Sequence, residues 1–339
     1  MLNNVKIAID AMGSDYGPSV IVSGAALSME RNPDSKYIFF GDKELIFSET
    51  KKHKILENSF EIIGTKETIG PEDKPSQALR KMKNTSMGMS LDYLSKKNVD
   101  AVVSAGNTGA LMGISRLKVK TLSGILRPAI AATFPHSHGE FVLLDLGANT
   151  VCNSENLVQF AIMGTEFAKV VLGKPNPKVA ILNIGKEQEK GKEFIHNAAK
   201  LINSTYIKNN FIGYIEGNEI TKGIADVVVT DGFSGNIALK TAEGVANLCS
   251  NYIKSLFTGS LSGKLAYILT KKSLTTLNEK LDPRKRNGAL FLGLNGIVIK
   301  SHGGADDTSF ASAIDIAYEF TQEGVGSKII KGIHDLNNS

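Results

Sequence analysis

The sequence predicts an α/β protein in which a mainly parallel sheet carries helices on both faces. Short β-branched or apolar runs alternate along the chain with longer amphipathic stretches, and Val142-Leu143-Leu144 contains no polar residue at all. Such alternation is typical of βα units, and a wholly apolar strand indicates cover on both faces. No low-complexity linker or internal repeat interrupts the 339 residues. We therefore expect one domain over residues 1–339, with a protruding helical tip at about 253–286.

The predicted strands are short runs of β-branched and apolar residues, most of them followed by residues that favour turns. In chain order they are Lys6–Asp10, Tyr37–Phe40, Glu61–Ile63, Ala101–Ser104, Ile130–Phe134, Phe141–Asp145, Ala180–Ile184, Phe211–Ile215, Asp226–Thr230 and Ile297–Lys300.

The predicted helices are longer segments in which apolar residues recur at three- and four-residue spacing. In chain order they are Ser19–Glu30, Ser76–Lys96, Thr108–Leu117, Glu155–Leu172, Glu193–Ile202, Ser234–Phe257 and Thr308–Glu323.

Composition limits the classes of function. The charge of +5 and the 42% hydrophobic content are ordinary for a globular protein, and no apolar run approaches the length of a membrane span. Two distant cysteines cannot form a disulfide framework, which favours a reducing, cytoplasmic setting. P-loop, dinucleotide-binding, nucleophile-elbow and zinc motifs all fail on spacing or residue type, so no metal or nucleotide cofactor is predicted.

Loops rich in Gly, Asn and Asp follow six of the predicted strands. They begin near Asp10, Ser104, Asp145, Asn183, Asp231 and Ser301. In open α/β sheets, ligands bind beyond the carboxyl ends of the strands, and exposed amides at helix starts attract anions. We therefore expect these loops to converge on one edge of the sheet around a phosphate or an oxyanion. The alternative for each loop is an ordinary turn and helix cap.

Three polar residues in these loops are candidates for chemistry. Lys190 could neutralise a phosphate, or it could belong to a solvated charged loop. Asn236 could donate to an oxyanion or could only cap a helix. His302 could contact an anion or move a proton, or could only cap its turn.

Basic residues are concentrated in one segment of the chain. Eight basic and two acidic residues lie between Lys254 and Arg286, so this segment accounts for the whole positive excess. Apolar residues recur there at helical spacing, and Gly259 and Gly263 favour two short helices over one. Three interpretations stay open: packing against a second copy, contact with an anionic membrane, and docking of an acidic protein. Nucleic acid is disfavoured because few aromatic residues are interleaved.

Seven segments together resemble the PlsX-type phosphate acyltransferases. In order along the chain they are Ile7–Gly13, Lys74–Arg80, Val103–Ala110, Leu144–Asn149, Asn183–Gly185 with Lys190-Gly191, Asp231–Asn236 and Ile299–Gly303. Two departures are small: Ser14 replaces a usual glycine, and Val151 stands where an acidic residue is common.

The resemblance implies transfer of a fatty acyl group from acyl carrier protein to inorganic phosphate, without a cofactor. It implies a homodimer with a fold similar to the isocitrate/isopropylmalate dehydrogenases and the phosphate acetyltransferases. The acyl phosphate would pass to a membrane-bound glycerol-3-phosphate acyltransferase for phospholipid synthesis, so peripheral contact with the inner face of the cell membrane is also expected.

The resemblance and the loop positions together define the expected site. Lys190 and Asn236 are expected to be catalytic, and we expect amides near Gly13, Asn107 and Gly232 to hold the phosphate. The complete set of substrate-binding candidates is Asp10, Gly13, Asn107, Thr108, Asp231, Gly232, Ser234 and His302. The candidates for membrane or carrier-protein contact are Leu261, Lys264, Leu265, Leu269, Lys271 and Lys272.

Three other functions remain as alternatives. The first is a phosphate acetyltransferase-like enzyme that uses coenzyme A thioesters. The second is a non-catalytic anion-binding scaffold, which would need only the loops and the basic segment. A decarboxylating dehydrogenase of the same fold class is disfavoured, because the matching acidic metal ligands and arginine cluster are not evident.

Overall fold

A computed structural model describes residues 4–187, 189–258, 262, 266–272 and 287–324. Within these residues, eleven strands form one sheet. The strands are β1 (Lys6–Asp10), β2 (Lys36–Gly41), β3 (Phe60–Gly64), β4 (Ala101–Ser104), β5 (Ala129–His136), β6 (Gly139–Leu144), β7 (Val179–Leu182), β8 (Phe211–Ile215), β9 (Val227–Val229), β10 (Ala289–Leu292) and β11 (Ile297–Lys300).

Helices cover both faces of this sheet. They are α1 (Pro18–Arg31), α2 (Lys43–Thr50), α3 (Pro75–Lys81), α4 (Ser86–Ser95), α5 (Thr108–Lys118), α6 (Ser154–Val171), α7 (Glu193–Ile202), α8 (Gly232–Thr258) and α9 (Asp307–Gln322). Along β1, Ile7 and Ile9 enter one hydrophobic cluster while Ala8 enters the other. Successive strand residues face opposite sides, so the sheet separates two layers of core.

The strand order is β3-β2-β1-β4-β11-β10-β5-β6-β9-β7-β8. Strands from β3 to β11 are mutually parallel, and so are the strands from β6 to β8. Between these halves, three successive antiparallel pairings join β11 to β10, β10 to β5, and β5 to β6. Because the strand direction reverses three times, the strands from β3 to β11 run opposite to the strands from β6 to β8.

The expectation that the loops converge on one edge is therefore wrong. Loops after β1, β4 and β11, here called the β1-side loops, leave the sheet in one direction. Loops after β6, β7 and β9, the β6-side loops, leave it in the other. Because strands lie about 4.8 Å apart, the six spacings from β1 to β9 place Gly13 and Gly232 roughly 29 Å apart across the sheet. One phosphate ion in one chain cannot contact both.

Most predicted elements are present, with two informative differences. The predicted helix over Ser76–Lys96 is broken, since α3 ends at Lys81 and α4 begins at Ser86 with Thr85 as its cap. A Cβ on Gly88 would lie 1.9 Å from the carbonyl oxygen of Met82, so the close approach of the two segments at the break requires glycine at this position. The sequence prediction also omitted β10, the strand that carries two of the three reversals.

The predicted tip is only partly covered by the described residues. Leu261, Lys264 and Leu265 lie outside them, while residues 266–272 are helical and include Leu269, Lys271 and Lys272. Leu269 is 78% exposed. In the parts of the chain that the model describes, no helix is long and apolar enough to cross a membrane.

Candidate active site

The β6-side loops are organised around a buried carboxylate, Asp145, which directly follows β6. Its Oδ1 accepts hydrogen bonds from the backbone amides of Ile130 at 3.0 Å, Gly147 at 3.2 Å and Ala148 at 2.9 Å. Its Oδ2 accepts from the amide nitrogen of Asn149 at 2.7 Å and from that residue's Nδ2 at 2.9 Å. Burial raises the pKa of this carboxyl, while the hydrogen bonds oppose the shift. Asp145 therefore holds the loop in shape, with its acceptor positions already used.

Helix α8 starts against this loop. The Oδ1 of Asp231 accepts from the amide of Ser234 at 2.9 Å, and its Oδ2 accepts from the hydroxyl at 3.0 Å. The amide of Gly232 donates to the carbonyl of Asn149 at 2.8 Å. Three predicted substrate-binding residues, Asp231, Gly232 and Ser234, thus shape and cap the start of α8 in this structure.

Asn236 lies one turn into α8, on the exposed side of the helix. A Cβ on Gly147 would approach the Asn236 side chain at 3.5–3.7 Å, so the amide stands directly beside the Asp145 loop. Within the described residues the side-chain amide of Asn236 makes no hydrogen bond. The structure thus leaves Asn236 free to donate to a ligand.

Lys190 lies in the loop after β7, the strand that pairs with β9. Asn183 fixes this loop by donating to the carbonyls of Gly185 at 3.0 Å and Lys190 at 2.7 Å. The Lys190 side chain is 54% exposed and its Nζ lies 3.1 Å from Glu187, itself 63% exposed. Such an exposed ion pair is weak and can open for a stronger anion. Neighbouring strands therefore bring Lys190 and Asn236 to the same loop group.

The β1-side loops form a second polar cluster. Asp10 is buried and accepts a hydrogen bond at Oδ2 from the hydroxyl of Ser104 at 2.7 Å. Burial raises the pKa of the Asp10 carboxyl. A Cβ on Gly13 would lie 2.6 Å from the amide nitrogen of Gly106 and 2.8 Å from Asp10 Oδ2. Only glycine at position 13 allows the two loops to approach so closely.

Lys300, at the end of β11, completes this second cluster. Its Nζ donates to the carbonyls of Ala105, at 3.1 Å, and Ser301. Burial lowers the pKa of the Lys300 ammonium to about 8, against the opposing charges of Asp10 and Asp15. Sequence reasoning missed this residue, although a lysine closing the apolar run Ile297–Lys300 was a usable signal.

Three other predicted residues lie in the β1-side loops. The side chain of Asn107 accepts from the amide of Ala110 at 2.9 Å and donates to the carbonyls of Pro71 and Asp73. Thr108 is exposed at the start of α5. The Nδ1 of His302 accepts from the amide of Gly304 at 3.1 Å, so His302 caps its own turn in this structure.

Comparison with known proteins identifies the family. A family model described as "Fatty acid synthesis protein" matches residues 5–328. Proteins named phosphate acyltransferase are 47% identical to this chain in Rhodospirillum centenum, over 95% of this chain and 91% of theirs, and in Afipia carboxidovorans, over 97% and 94%. The chain therefore belongs to the family described as "Fatty acid synthesis protein", which its phosphate acyltransferase relatives support.

Solved structures of the same architecture have much lower sequence identity. A phosphotransacetylase from Streptococcus pyogenes aligns with a TM-score of 0.64 at 17% identity, covering 94% of each chain. A 4-hydroxythreonine-4-phosphate dehydrogenase from Burkholderia phymatum aligns with a TM-score of 0.50 at 12% identity, covering 94% of this chain and 98% of its own. The predicted fold class is confirmed, and at these identities the likeness concerns the fold alone.

Proposed function

We propose that this member of the fatty acid synthesis family transfers a fatty acyl group from a thioester to inorganic phosphate and so forms an acyl phosphate. The observation that carries the proposal is the placement of Lys190 and Asn236 after adjacent strands: Lys190 lies in the loop after β7, and Asn236 lies at the start of α8, after β9 and beside Gly147 of the Asp145 loop. One supplies a positive charge and the other a free amide donor, the two groups that this transfer requires.

The chemistry needs no bond to the protein. A phosphate oxygen attacks the thioester carbonyl carbon, a C–O bond forms, the C–S bond breaks, and the thiolate leaves and takes up a proton. The cysteine nearest the loops is Cys152. Its thiol donates a hydrogen bond to the Asn149 carbonyl at 3.5 Å. Burial raises the pKa of this thiol to about 11, so it is protonated at neutral pH and is a poor nucleophile. This supports direct transfer rather than an acyl-enzyme.

Lys190 and Asn236 have different tasks in this proposal. The Lys190 ammonium exchanges its exposed contact with Glu187 for the incoming phosphate and offsets its charge. The Asn236 side-chain amide, which lies beside the Asp145 loop, donates to the carbonyl oxygen as that oxygen becomes negative. The β1-side residues Asp10, Gly13 and His302 stay predicted substrate contacts, at a separate position from this pair.

The proposed acyl donor is acyl carrier protein, supported by the basic charge between Lys254 and Arg286, which would attract an acidic protein. The same segment would let the enzyme contact anionic lipid and deliver acyl phosphate to a membrane glycerol-3-phosphate acyltransferase. Exposed Leu269 beside Lys271 and Lys272 supports such peripheral contact.

We also propose a homodimer formed through α8. None of the described side chains from Thr241 to Phe257 is buried in the isolated chain. Four of them, spaced by three or four residues, form an apolar stripe: Val245 (54% exposed), Leu248 (50%), Tyr252 (64%) and Leu256 (71%). A stripe with this spacing suits packing against the same helix of a second copy.

The experiment compares two acyl donors. The protein is incubated with phosphate and either palmitoyl-carrier protein or acetyl-coenzyme A, and acyl phosphate is trapped as its hydroxamate. Palmitoyl hydroxamate in much greater yield supports the proposal. The fold shared with phosphotransacetylases favours the second candidate, transfer from coenzyme A, which the reverse result would support. Phosphate binding without either product would indicate a non-catalytic scaffold.

A further inference from the structure

A groove on the outer face of α6 continues from the β6-side loops. It has a volume of about 390 Å³ and is lined mainly by apolar groups. Val158 and Ile162, both buried, form its floor, while Leu126 and Leu201 form its rims with 50% and 44% of their surfaces exposed. Ser204 and Thr205 lie where α7 gives way to the following turn, at the far end of the groove.

The near end of the groove adjoins the proposed site. Leu126 is two residues from Pro128, whose carbonyl accepts a hydrogen bond from Asn149 Nδ2 at 2.7 Å. Glu155 is three residues from Cys152, whose thiol contacts the Asn149 carbonyl at 3.5 Å. Since a residue spans at most about 3.6 Å, the chain from each groove residue, together with the contact that it leads to, places both residues within roughly 17 Å of Asn149 in the Asp145 loop.

The walls of the groove are held in place by hydrogen bonds. The Gln159 side chain accepts from the amide of Leu126 at 2.9 Å and donates to the carbonyl of Gly124 at 2.8 Å, which ties the 124–126 segment to α6. The groove is therefore formed before any ligand arrives. Its volume lies within the range of roughly 300–1,000 Å³ that small-molecule sites occupy.

We propose that this groove binds the hydrocarbon chain of the acyl group and thereby sets the preferred chain length. The proposal rests on the function proposed above, because that reaction places a long apolar chain next to the Asp145 loop. From Glu155 to Ile162 the groove follows α6 for about 10 Å, so methylenes far from the thioester would lie near Leu201 and Ser204.

Two variants separate the groove from the chemistry. Ser204→Trp places a bulky ring at the far end, while Lys200→Trp adds the same ring on exposed α7 surface outside the groove. We expect Ser204→Trp to lower kcat/KM for palmitoyl-carrier protein about tenfold, the cost of excluding roughly two methylenes, and to leave octanoyl-carrier protein within about twofold of wild type. Lys200→Trp should leave both donors unchanged.

A binding measurement adds a second readout. The sequence has no tryptophan, so Leu201→Trp introduces a single tryptophan on the rim of the groove, whose emission can be excited selectively. Palmitoyl-carrier protein should shift its emission to shorter wavelength and should leave that of Lys200→Trp unchanged.

The two proposals fail in different ways. If wild type forms no acyl phosphate from either donor, the proposed function is wrong, while the emission shift still tests the groove. Equal loss with both donors, no loss with either, or an unshifted Leu201→Trp emission would overturn the groove proposal. A change of sedimentation coefficient in Ser204→Trp, without chain-length selectivity, would instead make this face a protein interface and would also overturn it.

Discussion

The side-chain end of Lys190 makes only an exposed ion pair with Glu187, and the side-chain amide of Asn236 makes no hydrogen bond within the described residues. Asn183 ties the Lys190 loop through its main chain, and the Asp145 loop packs beside Asn236. Both functional groups are exposed, and in the proposed reaction a donor on a fixed backbone would stabilise the developing oxyanion without reorganisation.

Removal of either group should therefore reduce turnover without unfolding the protein. We expect Lys190→Ala and Asn236→Ala each to lower kcat about 10²–10³-fold, the usual cost of one oxyanion donor. Hydroxamate formation at saturating phosphate measures the effect. Asn247→Ala, at an exposed position further along α8, is the matched control. Near-normal turnover in either variant, with an unchanged melting temperature, would remove that residue from the mechanism.

Lys300 should make stability depend on pH in the alkaline range. Burial lowers its pKa to about 8 in the folded state, whereas an unfolded lysine keeps a value near 10.4. Between these values the unfolded chain binds more protons, so the contribution of Lys300 to the free energy of unfolding rises with pH.

Lys300→Met should abolish that rise. Denaturant unfolding from about pH 7 to about pH 10 is expected to show the wild type gaining stability relative to the variant as pH increases. Exposed Lys208, replaced in the same way, should give a difference that stays constant. A constant difference for Lys300→Met as well would contradict the lowered pKa.

Helix α8 contains two glycines, of which only one occupies a position where a side chain would clash. A Cβ on Gly235 would lie 1.9 Å from the carbonyl oxygen of Asp145, whereas a Cβ on Gly244 would meet no atom within 4 Å. The first glycine allows the helix start to dock on the β6-side loops. The second lies on a free helix surface and only lowers helix stability.

Alanine at the two positions should change stability in opposite directions. Gly235→Ala should lower the melting temperature and remove activity, because α8 must move away from Asp145. Gly244→Ala should raise stability by about 0.5–1 kcal/mol through helix propensity. Thermal unfolding followed by circular dichroism measures both. Equal melting temperatures would show that the helix start tolerates a side chain and that the contact is not tight.

Elements with a clear hydrophobic period or a run of apolar and β-branched residues could be predicted from the sequence. The helix Glu193–Ile202 is observed with the predicted bounds, and β1 likewise. The break between α3 and α4 was missed because the close approach of the Gly88 backbone to the Met82 carbonyl, which only glycine allows, is not visible in the hydrophobic pattern. β10, Ala289–Leu292, was missed because its sequence contains no β-branched residue, unlike the equally short β4 and β11.

For the whole molecule, the direction of the strands decides which loops can cooperate. Local sequence identified the polar loops correctly but assigned them to one edge, because the reversals at β10 and β5 depend on pairing between distant segments. Asp145 and Lys300 were not predicted as site residues for a related reason. The burial of Asp145 and the hydrogen bonds of Lys300 exist only after the sheet has formed. Thus the loop that contains Lys190 and the helix start that contains Asn236 could be predicted, and their separation from Gly13 could not; the catalytic role of the pair stays a prediction.

Helix α8 has two different parts. Its start contains Asn236, and its second half carries the exposed apolar stripe. A fully buried Leu or Val side chain contributes about 1.5–3 kcal/mol, so the stripe on two copies can supply much of a dimer's stability. A charge introduced at its centre would be buried without a partner and should oppose association strongly.

Leu248→Asp is therefore expected to convert the proposed dimer to monomers at micromolar concentration, as measured by sedimentation equilibrium. Ser250→Asp adds the same charge on the opposite side of the helix and should leave the dimer intact. Both variants should keep the circular dichroism of the wild type, because neither position is buried in the isolated chain. A Leu248→Asp protein that remains dimeric would place the interface elsewhere and leave the stripe for a different partner.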